Sequence, residues 1–187
     1  MNKDLPKWLQ IGLVILLSAV VLLVLLSRDR LDAYGTYLRQ KSPEINVNLA
    51  ELSAAMDEAA VKKHFAGTAL SCVAQPAGDA LGDRVCYASI DKADGDAALM
   101  LAAFFRNGRL AHVMVQTPWW VHQSWHRRLT AQFGQPVKAG LVSRSGGPLV
   151  RWSLPDGYVE SNRDRSFNPL NWNVVLWTGK TGQPPGP

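Results

Sequence analysis

Two imidazoles four residues apart are the first place to look for chemistry. His122 and His126 stand in the stretch HQSWH, and an i,i+4 spacing sets both rings on one face of a helix, as a zinc site requires. The zinc-protease pattern needs Glu directly after the first His as general base. Here that position is Gln123, so the pattern fails. His112 lies on the strand expected just upstream, and a site built from His112, His122 and His126 is the one metal arrangement that the histidines offer. The competing reading is that both helix histidines are part-buried edge residues hydrogen-bonded to backbone.

Other catalytic patterns are missing from the sequence. There is no G-x-S-x-G elbow, and neither cysteine has the basic surroundings that lower a thiol pKa. Asp91, Asp94 and Asp96 lack the Gly and closing Glu of a calcium loop. Ser145 to Pro148 lacks the Lys and following helix of a phosphate cradle. The expectation is a chain that is not an enzyme and carries no cofactor.

Cys72 and Cys86 are the two cysteines of the sequence. An even pair in a small domain reads as a disulfide in an oxidising compartment. Closing a loop of ~15 residues contributes ~3 kcal/mol in the chain-entropy account. Reduced core thiols are the alternative. A zinc site would need a second Cys pair or a close His.

The elements that hold these residues follow an uncharged run from Leu9 to Leu26. A helix rises ~1.5 Å per residue, so about 20 apolar residues cross a hydrocarbon core of ~30 Å. Trp8 fits an interfacial aromatic, and Lys3, Lys7, Arg28 and Arg30 flank the run. It is longer than a signal-peptide core and ends without a small-residue cleavage site. Residues 1–7 are thus expected as a cytoplasmic stub, 8–27 as a transmembrane signal-anchor, and 28–46 as a juxtamembrane segment. Residues 47–178 form the extracytoplasmic domain, and 179–187 a disordered tail.

The whole chain carries a formal charge of +5. Its basic residues form no runs among aromatic repeats, which argues against a nucleic-acid partner and leaves the lipid bilayer as the nearest charged surface.

Within the domain, Asn48 to Gly67 reads as one amphipathic helix, with Asn48 as cap and Glu51 completing a capping box. Short strands are expected at Ala69–Ala74 and Arg84–Ile90, with a polar turn at Asp91–Asp96. Asn107-Gly108 between two apolar runs predicts a two-residue hairpin turn. Its register would pair Phe105 with Leu110, Ala103 with His112 and Leu101 with Met114. Both faces of that hairpin are apolar, so both should be covered. Thr117-Pro118 predicts the start of a second helix, buried along Val121, Trp125, Leu129 and Phe133 and ending at Gly134. Leu149–Leu154, Tyr158–Asn162 and Asn171–Thr178 complete the strands.

The fold class is α+β, a small layered domain of antiparallel strands and two main helices. Both helices end in Phe just before Gly, which suggests two related α-then-β units. Trp119, Trp120 and Trp172 are candidate partner-binding residues, since exposed Trp is enriched at contacts. The leading expectation is a single-pass protein of a bacterial inner membrane, its N-terminus cytoplasmic and its domain periplasmic. That domain would bind another envelope protein, or itself, in an accessory or assembly role. A metal-binding protein or enzyme using the three histidines, and a ligand- or lipid-sensing domain with an apolar pocket, are the alternatives.

Overall fold

The computed structural model describes residues 6–26, 28–39, 41–76, 78–142 and 147–180. Most of the expected tail, and residues 143–146 of the Gly-rich loop, lie outside that set. The chain forms two units, Met1–Gln40 and Lys41–Pro187.

The first unit is helical, with α1 at Lys7–Leu26 and α2 at Arg28–Arg39. Every described side chain of α1 is exposed. Its unbroken run of described side chains covers residues 7–22, and no helix among the described residues is long and apolar enough to cross a membrane.

In chain order the second unit runs β1 (Glu44–Ile45), α3 (Glu58–His64), β2 (Ser71–Ala74), β3 (Arg84–Ser89), β4 (Lys92–Ala93) and β5 (Asp96–Ala97). It continues with β6 (Met100–Arg106), β7 (Arg109–Thr117), α4 (His122–Phe133), β8 (Val137–Val142), β9 (Pro148–Leu154), β10 (Gly157–Asn162) and β11 (Asn173–Gly179). Eight strands make one antiparallel sheet in the order β2-β3-β6-β7-β11-β10-β9-β8, and β1-β4-β5 make a small mixed sheet. The architecture is α+β, as expected. Each of α3 and α4 precedes four strands of the large sheet, and the two sets join where β7 pairs with β11.

One face of the large sheet builds the core. Cys86, Ala103, Val113, Trp177, Val159 and Trp152 stand opposite one another across six strands, and all are buried. Val61 of α3 and Trp125 and Leu129 of α4 pack in the same cluster. The buried stripe expected of α4 is thus present. So are the Cys-bearing strands, the β9–β10 hairpin and the last strand. Gly157, opposite Gly179, is required in that hairpin because a Cβ there would run into the Thr178 carbonyl.

The β6–β7 turn has the expected form, with positive φ of 53° at Asn107 and 73° at Gly108. The expected pair of Phe105 with Leu110 is present, but the register expected beyond that pair is wrong. A bulge between Phe104 and Phe105 puts Phe104 opposite His112 and Ala103 opposite Val113. An extra residue on one strand sends every later side chain to the other face. Val113 and Val115 therefore enter the core, while His112 and Met114 turn away from it.

The helix expected from Asn48 to Gly67 is broken. Leu49–Glu51 is a 3-10 turn, and Asn48 sits at φ 47° without a side-chain cap bond. The Asp156 carboxylate draws the next segment off the helical path, accepting from Ser53 Oγ (2.5 Å) and Ala54 N (2.9 Å). A new helix then begins at Asp57, whose side chain accepts from Ala60 N at 2.8 Å. At the second helix, Thr117 stays in β7, and Pro118 is extended before a 3-10 turn at Trp119–Val121. The expected turn at Asp91–Asp96 is the small β4–β5 hairpin, where Asp94 accepts from Val47 N at 2.7 Å. Strand β8, at a sheet edge, was not expected from its sequence.

Candidate functional site

The end of β10 brings Asn162 under the first turns of α4. Nε2–H of His122 and Nε2–H of His126 both donate to the Asn162 carbonyl, at 2.9 and 2.8 Å. A carbonyl only accepts, so both rings carry the proton on Nε2. The rings stack with centroids 4.3 Å apart and planes 30° apart, and His126 also sits against the edge of Trp152 at 5.1 Å. Burial, and then the charge of His122, pushes the His126 pKa down. His122 is buried, and its Nδ1 has no hydrogen-bond partner among the described residues.

His112 is elsewhere. The bulge turns it to the opposite sheet face, where Nδ1 lies 3.0 Å from Thr178 Oγ1. Burial, with Arg106 adding, lowers its pKa to about 4. The three histidines are not brought together. His122 and His126 also spend their Nε2 positions on one carbonyl. Glu58, Cys72 and Cys86 do come within ligand distance of one another among the described residues. Both sulfurs, however, are joined in the Cys72–Cys86 disulfide. Arg84 (2.6 Å) and Lys62 (2.7 Å) engage Glu58 and hold its carboxyl down at about 2.

The tryptophans gather at the α4 start. Trp119 Nε1–H donates to the Ser166 carbonyl, and the Arg165 guanidinium lies 3.7 Å above its ring. Trp172 is half-buried, and its neighbours tie it to the same end. Asn171 donates to Ser166 Oγ (2.8 Å), and Asn173 to the Pro118 carbonyl (3.3 Å). Trp120 is 52% exposed.

Two features escaped the sequence reading. A cavity beside the histidine pair is lined by Gln123, Arg127, Arg163, Asp164 and Arg165. Its signal was the R-D-R triplet after Asn162, but only the β10 path carries that triplet to α4. The second feature is the other face of the large sheet. There Tyr87, Ala102, Met114, Leu176 and Glu160 form one cross-strand row, and Val73, Val85, Phe104, His112 and Thr178 form the next. Val85, Ala102 and Phe104 cluster there with Leu81 and Met114, and no residue of α3 or α4 belongs to that cluster. Tyr87 is 40% and Val73 45% exposed. The β9–β10 end of the face is polar, with an Arg151–Glu160 ion pair at 2.7 Å.

No family model, characterised protein or solved structure matches the chain. The geometry must therefore carry the functional reading.

Proposed function

We propose that the protein is a single-pass anchor of a bacterial inner membrane whose periplasmic domain binds another envelope protein, without catalysing a reaction. The supporting observation is the second sheet face. It has an apolar centre with Tyr and Met side chains and a polar margin at Arg151–Glu160. Centres of protein interfaces have this composition and rims of this polarity. A solvated antiparallel face would alternate to polar residues instead. Of the three tryptophans, Trp120 is the most exposed, at the start of α4 rather than on this face.

Support for the anchor comes from α1. Its 20 residues reach ~30 Å, the thickness of a hydrocarbon core. Side chains such as Ile15 and Leu16 stay exposed, and each would gain ~1.5–3 kcal/mol on leaving water. The disulfide suggests an oxidising, extracytoplasmic compartment for the domain. The two helix-then-strands halves support the reading of two related units.

Photo-crosslinking residues placed at Tyr87 and Leu176 in intact cells test the contact, with Lys63 on α3 as control. The expected result is one discrete adduct from both face positions and none from Lys63. Its mass-spectrometric identity should be an envelope protein. Face positions that label no better than Lys63 sink the docking reading, and release of the chain from membranes by alkaline carbonate sinks the anchor.

A further inference from the structure

Arg127, Arg163 and Arg165 converge on an open cavity of about 380 Å³ that Gln123, His126 and Asp164 also line. Three guanidinium charges there face one carboxylate. Asp164 is already taken by Arg163, whose Nε and Nη2 donate to it at 3.0 and 2.7 Å. Arg163 and Asp164 hold each other in their charged forms, so Arg127 and Arg165 remain without a carboxylate. Neither has an ion-pair partner among the described residues.

The cavity is held in shape. The Arg165 guanidinium lies over the Trp119 ring, which removes much of the rotamer freedom a surface arginine would lose on binding. Its segment is pinned by Arg163 N donating to the Pro148 carbonyl (2.8 Å) and by the two bonds to Ser166. The Asn162 carbonyl fixes the imidazoles through Nε2. With its proton on Nε2, His126 presents Nδ1 as an acceptor, so the donors to an anion are the guanidinium groups and the Gln123 amide. Such a pinned set of forked donors suits a small oxyanion, because guanidinium groups bind phosphate and carboxylate bidentately. The surplus of two positive charges matches a phosphate group, which carries about −1.5 to −2 near neutral pH. A carboxylate would leave one guanidinium unpaired.

We infer that this cavity is a binding site for a phosphate group, supplied by a soluble phosphate compound or by the headgroup of an anionic phospholipid, with Arg127 and Arg165 as the main ligands and Gln123 as a supporting donor. The inference is independent of the partner proposed for the sheet face. That partner would occupy the Tyr87–Leu176 face rather than the α4 start.

The test uses the full chain in neutral-detergent micelles, with side-chain NMR signals of the arginines and histidines as reporters. Inorganic phosphate is titrated at constant ionic strength against chloride. Saturable movement of the His126, Arg127 and Arg165 signals is expected, with the His112 signal still. The Arg127→Gln, Arg165→Gln double variant should bind at least about tenfold more weakly, since a hydrogen bond to a charged group is worth ~1.5–3 kcal/mol. Both residues are exposed, so the variant keeps the fold, which the unchanged Trp125 and Trp177 signals verify. A second arm compares nanodiscs of phosphatidylcholine with ones containing phosphatidylglycerol. If phosphatidylglycerol moves the same signals and weakens phosphate binding, the headgroup is the source. If only phosphate does so, the ligand is soluble. Signals that follow chloride equally, stay still in both arms, or respond unchanged in the double variant overturn the inference.

Discussion

Acid should unfold this domain through His112 before it reaches the carboxylates. The ring is 7% exposed on the second sheet face, and its pKa is lowered to about 4 from an unfolded value near 6.5. Between those two values the unfolded chain binds a proton that the folded chain refuses. Stability is therefore intact above about 6.5 and falls as the pH drops toward 4. At ~1.36 kcal/mol per pH unit the loss is about 2 kcal/mol at pH 5 and about 3 kcal/mol near pH 4. The perturbation is His112→Gln, whose amide can still bond Thr178 Oγ1 but does not titrate. Urea unfolding of both proteins in neutral micelles at pH 7 and pH 5, followed by fluorescence of the buried Trp125, Trp152 and Trp177, gives the difference. His126 titrates in the same direction and is common to both proteins, so it cancels. The natural chain should lose about 2 kcal/mol more than the variant between the two pH values. Equal losses would refute the placement of His112 as a buried neutral ring.

Two further outcomes follow from the packing. Asp156→Ala removes the acceptor shared by Ser53 Oγ and Ala54 N. It should cost roughly 1–3 kcal/mol in the urea midpoint, whereas an unchanged midpoint would mean that water replaces the carboxylate at no cost. The Cys72→Ser, Cys86→Ser double variant opens a cross-strand link with a sequence separation of 14. It should lose ~3 kcal/mol, with hydrogen exchange rising first at the β2 edge; uniform loss of protection across the sheet would contradict a local staple.

The strands were legible because their signals are local. Asn107-Gly108 announced its turn, and the two cysteines sat on strands that the structure pairs residue for residue. The bulge was not legible, because nothing in Ala-His-Val distinguishes a regular ladder from one that skips Ala111. That single slip moved His112 across the sheet and dissolved the three-His arrangement. The break in the Asn48–Gly67 helix was hidden for a different reason. Its cause, Asp156, lies about a hundred residues away along the chain. The His122–His126 pair was read correctly as neighbours, and the reading of backbone-bonded edge histidines fits what they do. The arginines around them belonged to a loop whose approach to α4 only the fold supplies.

The seam between β7 and β11 has a consequence for how the protein is made. β7 ends at Thr117, while its partner β11 starts only at Asn173. At ~5–20 residues per second of synthesis, those about 55 intervening residues take several seconds to leave the ribosome. Throughout that interval the first half can assemble its own four strands, yet its last strand stands as an unsatisfied edge bearing Val113 and Val115. An open apolar edge of this kind invites pairing with other newborn chains. The nascent protein therefore passes through a stage in which its aggregation hazard lies at the centre of the final sheet, not at its rims.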